Sequence, residues 1–192
     1  MQEVTHPSLD NLNGYKVYYN VGTSQRDPAI VAKDNIELSN ITKMPSGRAI
    51  AAEFKGICLV NIRAPSGAAK RNEQEQFFNT DLTYLLRAAP ENRILGGDFN
   101  WVLDKSDTRG HFNYSRSLAQ LIQGLTLRDA WETNPAIHAY THYSNTGATQ
   151  IDRLYISHTL YAKKTFFFNH SVPCSLSDDI QQPCLTITNV GM

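Results

Sequence analysis

Two polar residues that could take part in phosphoryl transfer, Asp98 and Asn100, stand two positions apart. They follow a short stretch with an apolar end, residues 93–95, and a pair of glycines. In an extended chain, residues two apart project from the same face, so a carboxylate and a carboxamide would lie side by side. Phe99 would turn the other way, into the core. A carboxylate that accepts a proton or binds a metal, beside an amide that donates to a phosphate oxygen, is a fragment of a phosphoryl-transfer site. The alternative is a turn in which Asp98 and Asn100 only satisfy local backbone groups.

The composition is that of an ordinary globular domain. The chain has 192 residues, of which 41% are hydrophobic and 10% aromatic, enough for one domain with a sizeable core. Eighteen basic residues balance eighteen acidic ones. Binding to nucleic acid would therefore depend on a local basic patch or on a metal ion.

The cysteines indicate a reducing compartment. Cys58, Cys174 and Cys184 are odd in number and lack CxxC spacing, so we expect reduced thiols in an intracellular protein, nuclear or cytoplasmic. No apolar run is long enough to span a membrane, and residues 1–3 do not resemble the start of a signal peptide.

Apolar periodicity predicts two helices. Residues 72–89 carry apolar side chains at helical spacing, with acidic residues toward the N-terminal side and Arg87 in the last turn, as the helix dipole favours. Pro90 ends this helix. Residues 115–124 form a second helix with one apolar face.

Strand patterns surround these helices. The turn-type pair Lys55-Gly56 joins two of the strands as a hairpin. Besides residues 93–95, the predicted strands are 15–19, 29–32, 48–54, 57–61, 138–143, 151–157 and 185–188. Short strands, hairpins and a few helices together favour a four-layer α/β sandwich, in which two packed mixed sheets are flanked by helices.

Three motifs in register point to a family. Residues 97–100 (Gly-Asp-Phe-Asn), residues 151–157 (Ile-Asp-Arg-Leu-Tyr-Ile-Ser) and residues 177–178 (Ser-Asp) resemble those of the endonuclease/exonuclease/phosphatase superfamily, in the same order. Three further segments are similar to the apurinic-type endonuclease domain of insect non-LTR retrotransposons: residues 64–67, 113–116 and 146–147. The resemblance implies one domain over residues 1–192, truncated at the N-terminus and lacking the family's N-terminal strands.

The resemblance also implies roles for five acidic or amide residues. Glu3 matches the glutamate that holds the divalent metal, usually Mg²⁺, with Mn²⁺ as an alternative. Asp98 and Asn100 match the pair that positions the attacking water and the scissile phosphate. Asp152 matches the aspartate that orients a catalytic histidine, and Asp178 matches the acidic residue before that histidine. Hard oxygen ligands of this kind suit Mg²⁺.

The remaining predicted site residues include two departures from the family pattern. Thr141 matches the threonine that contacts the phosphate region, and Ser177 is expected to bind substrate. Arg63 replaces a tyrosine; it could meet a phosphate but could not act as a phenol. Asp179 replaces the expected histidine. It would set a carboxylate against Asp152 and repel an incoming phosphate.

Each motif also has a purely structural interpretation. Asp152 could belong to a salt bridge at a strand end, and Ser177 and Asp178 could form a turn. The six histidines lack metal-ligand spacing and are interpreted as surface or packing residues: His6, His111, His138, His142, His158 and His170.

The leading functional hypothesis is a Mg²⁺-dependent endonuclease that nicks DNA, leaving a 5′-phosphate and a 3′-hydroxyl that can prime reverse transcription. Asp179 predicts impaired activity. One alternative is a catalytically inactive module that binds nucleic acid or protein, which Asp179 also favours. Another is a phosphatase acting on a small phosphoester, against which the retrotransposon-like residues 64–67 and 113–116 argue. DNA is the expected partner, and no membrane association is expected.

Overall fold

A computed structural model of the chain describes residues 13–20, 28–130, 140–145, 147–162, 166–169 and 186–189. The strands, in chain order, are β1 (Tyr15–Tyr19), β2 (Ala29–Lys33), β3 (Ser39–Lys43), β4 (Ala49–Phe54), β5 (Ile57–Arg63), β6 (Arg93–Asp98), β7 (Thr108–Arg109), β8 (Leu127–Asp129), β9 (His142–Ser144), β10 (Gly147–Thr149), β11 (Asp152–Ser157), β12 (Phe166–Asn169) and β13 (Thr186–Asn189). The helices are α1 (Arg71–Gln76), a π-helical segment (Phe77–Leu82), α2 (Thr83–Ala88), α3 (Arg116–Gly124) and α4 (His158–Ala162), with short 3₁₀ turns at Ala68–Lys70 and Lys105–Asp107.

The largest sheet is mixed. Its six strands lie in the order β3-β4-β5-β6-β11-β8, with β5 and β6 parallel and the other neighbours antiparallel. The parallel pair is connected through the continuous helix formed by α1, the π-helical segment and α2, as a parallel connection requires. Three smaller sheets pair β1 with β2, β12 with β13, and β7 with β10 and β9.

One face of the six-stranded sheet is covered by helices. Along β5, Cys58, Val60 and Ile62 are buried, and the residues between them are only half-buried, as strand alternation requires. The helices supply Phe77 and Phe78, and the wider turn of the π-helical segment allows both rings to be buried. Cys58 is a free thiol whose pKa is raised to about 11 by burial and by the charge of Glu53; Cys174 and Cys184 lie outside the described residues.

The opposite face meets smaller sheets at one end and an apolar cluster at the other. The side-chain amide of Asn61 donates to the Ala29 carbonyl at 2.7 Å and so ties β5 to the β1-β2 hairpin. The apolar cluster consists of Ile94, Ala130, Leu154, Ile156 and Leu160. The opposite face thus meets a small sheet and also α4, through Leu160, which confirms the predicted mixed α/β fold with packed sheets. None of the helices in the described ranges is long and apolar enough to cross a bilayer.

Most predicted elements are confirmed, with shifted ends. The hairpin around Lys55, the long helix and the helix that begins after Ser115 are present; the Ser115 hydroxyl accepts from the Leu118 amide and caps that helix. The strand predicted at residues 93–95 is longer and runs through both glycines to Asp98. In the strand predicted at 138–143, residues 140–141 precede β9, and residues 138–139 lie outside the described ranges. The sequence patterns missed β3, whose side chains are all exposed, the short strands β7, β8, β10 and β12, and the short α4.

Candidate active site

Three predicted site residues lie in one row across the six-stranded sheet. Asp98 ends β6, and its partners in the strand register are Arg63 on β5 and Asp152 on β11. Residues opposite each other on neighbouring strands project from the same face, with Cβ atoms about 5 Å apart. The row therefore presents a guanidinium and two carboxylates side by side, with the residue Asp98 only 9% exposed.

The chain after Asp98 is fixed by hydrogen bonds. The Asn100 amide N–H donates to Oδ1 of Asp98 at 2.9 Å, and the Asn100 side chain donates to the Ala64 carbonyl at 2.9 Å. The Ala64 amide in turn donates to the Asp98 carbonyl at 2.8 Å. Asn100 has a φ of 54°, a left-handed conformation that asparagine tolerates better than most residues. Asn100 thus follows Asp98 in a turn beyond the strand, and not in the strand alternation that the sequence predicts.

Two neighbours of Asp98 explain why this turn can form on a core strand. Gly97 has a φ of 138°, and a Cβ there would lie 2.1 Å from the Ile62 carbonyl oxygen, so only glycine permits this approach of β5 and β6. Phe99 is fully buried, as predicted. Its ring lies 6.4 Å from the ring of Phe78 and 5.1 Å from that of Tyr155.

Thr141 supports the start of β11. Its hydroxyl oxygen accepts from the backbone amides of Ile151 and Asp152, each at 3.1 Å. The Ile151 carbonyl accepts from the Phe99 amide at 2.9 Å. Thr141 thereby joins the loop before β9 to the row, and its hydroxyl hydrogen can still be donated to an oxygen nearby.

A polar cleft of about 650 Å³ opens above the row. All five predicted site residues within the described ranges line it: Arg63, Asp98, Asn100, Thr141 and Asp152. The other predicted residues lie outside the described ranges, and their assignments stay predictions: Glu3, Ser177, Asp178 and Asp179.

The cleft also contains side chains that the sequence reasoning missed. The Arg71 guanidinium stacks over the ring of Trp101 at 5.5 Å, and both residues line the cleft. His111 and His142 line it as well, although the sequence indicates only surface or packing roles for them. No local pattern in the sequence indicates any of these four residues, and strand alternation would even place His142 on the face opposite to that of Thr141.

A buried charge cluster holds β11 in register behind the row. The Arg153 guanidinium pairs with Asp129 at 2.6 Å and also with Asp107. Burial alone lowers the pKa of Arg153, but the nearby charges of Asp129 and Asp107 raise it on balance, so the side chain remains charged. The backbone amide of Gln150 donates to the backbone carbonyl of Asp107 at 2.8 Å. Arg153 thus connects β8, the 3₁₀ turn and the beginning of β11, where Asp152 lies.

The donor atoms in the cleft are compatible with a hard divalent cation, although they do not form a complete site by themselves. Asp98 and Asp152 offer carboxylate oxygens, and Asn100 offers an amide oxygen, which are ligand types that Mg²⁺ accepts. Across the described ranges, no group of three or more His, Cys, Asp or Glu residues is arranged to hold a metal. The predicted metal ligand, Glu3, lies outside those ranges.

Part of the chain is similar in sequence to a known transposon protein. A Xenopus laevis protein described as the transposon TX1 uncharacterized 149 kDa protein is 32% identical over 114 residues, which are 55% of this chain and 8% of that protein. The chain thus corresponds to a small part of the length of that relative.

Solved structures share the fold. A 3′ phosphatase, NExo, from Neisseria, bound to product DNA hairpin, matches with a TM-score of 0.73 and 18% identity, over 100% of this chain and 86% of that one. The endonuclease domain of TRAS1, a telomere-specific non-LTR retrotransposon, matches with a TM-score of 0.61 and 13% identity, over 88% and 76%. Residues 1–175 match the model of the Endonuclease/Exonuclease/phosphatase family. The chain therefore belongs to the endonuclease/exonuclease/phosphatase family.

Proposed function

We propose that this domain is a Mg²⁺-dependent endonuclease that nicks DNA and leaves a 5′-phosphate and a 3′-hydroxyl. The observation that carries the proposal is the row of Arg63, Asp98 and Asp152 at the floor of a polar cleft. The TRAS1 domain is named as an endonuclease and the TX1 relative as a transposon protein, which supports retrotransposon ancestry. The 3′ phosphatase with bound DNA supports DNA as the partner.

Residues of the row and their neighbours have separate roles in the proposed hydrolysis of a phosphodiester. Asp98 accepts a proton from the attacking water, because its carboxylate is nearly buried and held by the Asn100 backbone amide. The Asn100 side chain, oriented by the Ala64 carbonyl, donates to a phosphate oxygen. Arg63 offsets the charge that develops on the phosphate, in the position where the family has a tyrosine. Thr141 and Ser177 contact the phosphate region.

Mg²⁺ is the proposed cofactor, with Glu3 as its ligand. When bound, such an ion stabilises charge on the phosphate and on the leaving oxygen. By the resemblance, Asp152 corresponds to the aspartate that orients the family's histidine and Asp178 to the acidic residue before it, and this chain has Asp179 at the position of that histidine. Losing an imidazole at such a position removes acid-base chemistry that typically contributes about 10²- to 10⁴-fold. Activity is therefore expected to be well below that of a family member with the histidine.

Asp179 favours a second candidate function, an inactive module that binds DNA without cutting it. A third candidate is a phosphatase that acts on a small phosphoester. The 3′ phosphatase among the structural neighbours supports phosphatase chemistry, but its bound product is a DNA hairpin and not a small molecule. Substrate assays separate the three candidates. The endonuclease nicks plasmid, the phosphatase releases inorganic phosphate, and the inactive module does neither although it binds DNA.

Nicking of supercoiled plasmid with Mg²⁺, compared with chelator, tests the proposal. Asp98→Asn keeps the shape of the side chain but removes the carboxylate, and should reduce nicking by about a hundredfold or more. Asp81→Asn, an exposed change on the π-helical segment, is the matched control and should leave nicking unchanged. Nicks that DNA ligase reseals directly would have the predicted ends. Nicking that persists in chelator, or in Asp98→Asn, would contradict the proposal.

A further inference from the structure

Two aromatic side chains are exposed together on the loop between β7 and α3. Phe112 is 39% exposed and Tyr114 is 40% exposed. Their ring centroids lie 6.0 Å apart, with the ring planes inclined at 36°. Large rings are usually buried, and an exposed pair is characteristic of a binding surface.

The pair lies on a loop that also contributes to the cleft. His111 and Asn113 line the cleft, and Phe112 and Tyr114 alternate with them along the chain. The loop that carries the rings is therefore part of the wall of the cleft, although the rings themselves are not among its lining residues.

The loop that carries the rings is anchored at both sides. The Val102 amide donates to the Asn113 carbonyl at 3.2 Å, and Val102 forms a β-bridge with Tyr114. Val102 and Ser115 are themselves buried, and Ser115 caps α3. Because the backbone is already held, little conformational entropy is lost when a ligand stacks on the rings.

A second group of rings lies on and beside the small sheet. The Arg109 guanidinium lies 5.2 Å from the centre of the Tyr140 ring, which is 6.4 Å from the ring of Tyr143. Tyr140 is half-buried, and Tyr143 is 71% exposed. An arginine beside aromatic rings is a combination that single-stranded nucleic acids bind, because every base has a face that can stack.

The balance of charge also favours stacking. The chain has 18 basic and 18 acidic residues, so it has no overall surplus of lysine and arginine, and binding through phosphates needs a local basic patch or a metal ion. Contacts with bases add affinity that does not depend on net charge. Those contacts require bases that are not buried in a continuous duplex.

We propose that Phe112 and Tyr114 form a stacking platform for an unpaired base next to the phosphate in the cleft. The preferred substrate is therefore DNA with unpaired or displaced bases at the cut site, and continuous duplex is disfavoured. This inference rests on the proposed function, because that function brings DNA to the cleft.

Binding in chelator tests the platform without any cleavage. The full chain is titrated, with fluorescence anisotropy as the readout, against a labelled single strand, the same strand with abasic sugars at its centre, and the matching duplex. The abasic strand keeps every phosphate and loses only the bases. Wild type should bind the base-bearing strand more tightly than the abasic strand and the duplex. Phe112→Ala with Tyr114→Ala should weaken that binding roughly five- to hundredfold and remove the preference over the abasic strand.

Two control variants separate stacking from a change in fold. Tyr84→Ala removes a tyrosine that is 80% exposed on α2, on the helix-covered side, and should leave all affinities unchanged. Phe112→Trp with Tyr114→Phe keeps both rings and should restore the preference. Thermal melts of all variants should coincide with that of wild type.

The outcome is independent of whether the chain nicks DNA. A base-dependent preference that is lost in the double alanine variant supports the platform, even if no nicking is ever detected. Equal binding of the base-bearing and abasic strands by wild type would overturn the platform, even if nicking is confirmed. An unchanged preference in the folded double alanine variant would overturn it as well.

Discussion

The two faces of β6 show how one strand can serve both the core and a reactive site. On the helix side, Leu95 and Phe99 are fully buried among aromatic and aliphatic side chains. On the cleft side, Asp98 stands in a row of charged residues that opens to solvent. Because the side-chain period of a strand is two, the packing that fixes one face also fixes the position of the residues on the other. Changes on the two faces should therefore have separable effects on stability and on activity.

The largest expected effect on stability comes from the core face. Phe99→Ala removes a ring packed between Phe78 and Tyr155 and should lower the free energy of unfolding by about 3–5 kcal/mol. Asp98→Asn, one residue away, should change it by less than about 1 kcal/mol while nicking falls about a hundredfold. Urea unfolding and plasmid nicking, measured on both variants, check the contrast. Equal losses of stability in the two variants would show that the faces are not separable.

The next effect is a gain in nicking activity. Asp179→His puts an imidazole at the position that the resemblance assigns to the family's histidine, and should raise nicking by about tenfold or more, since acid-base catalysis typically contributes 10²- to 10⁴-fold. Asp81→His, an exposed change outside the cleft, is the control. A folded Asp179→His variant without any gain would indicate that Arg63, in the family's tyrosine position, limits the rate instead.

A smaller effect distinguishes the backbone of Asn100 from its side chain. Asn100→Gly accepts the φ of 54° but removes the side-chain amide and its hydrogen bond to the Ala64 carbonyl, so it should cost about 1 kcal/mol of stability while nicking falls. Asn100→Ala removes the same amide and adds strain, and should lose a further roughly 1–2 kcal/mol of stability. Thermal melts of the two variants beside nicking assays measure both parts. Identical melts would show that the left-handed turn is not under strain.

The same comparison explains what the sequence could predict. The site residues Asp98, Asn100 and Asp152 could be predicted because each lies at a strand end that the apolar pattern or the family motifs mark. The periodic helix at residues 72–89 and the hairpin around Lys55 could be predicted because local propensity and tertiary packing agree there. The fold class followed from these elements.

The rest depends on approaches between segments distant in the chain. Arg71 and Trp101 meet through a cation–π contact between a helix start and a loop, which no local pattern encodes. His111 and His142 reach the cleft from different parts of the small sheet and its loops. β3 was missed because its side chains are all exposed and it is defined only by pairing with β4. The left-handed turn at Asn100 was missed because strand alternation alone predicted that it stays extended.

The smallest expected effect concerns the contact between α1 and α3 on the helix-covered face, and it depends on pH. Glu75 accepts a hydrogen bond from the Ser117 amide at 3.0 Å, at the start of α3. Burial raises the pKa of Glu75, but the hydrogen bonds from Ser117 and Ser115 outweigh it, so the pKa lies below its usual value of 4.5. Because the folded-state pKa is the lower one, the ionised side chain stabilises the fold fully above the unfolded-state pKa. That stabilisation is lost as the pH falls through the folded-state pKa.

Glu75→Gln should therefore lower the free energy of unfolding by about 1 kcal/mol at about pH 7, a modest value because the side chain is partly exposed. The difference from wild type should shrink as the pH is lowered from about 7 to about 3, because the lowered pKa of Glu75 is approached and the protonated side chain is neutral like that of glutamine. Urea unfolding at the two pH values measures it, with Asp81→Asn as the exposed control on the same helix. A difference that is the same at both pH values would show that Glu75 contributes through packing alone. In that case the contact between α1 and α3 would not depend on the charge of Glu75.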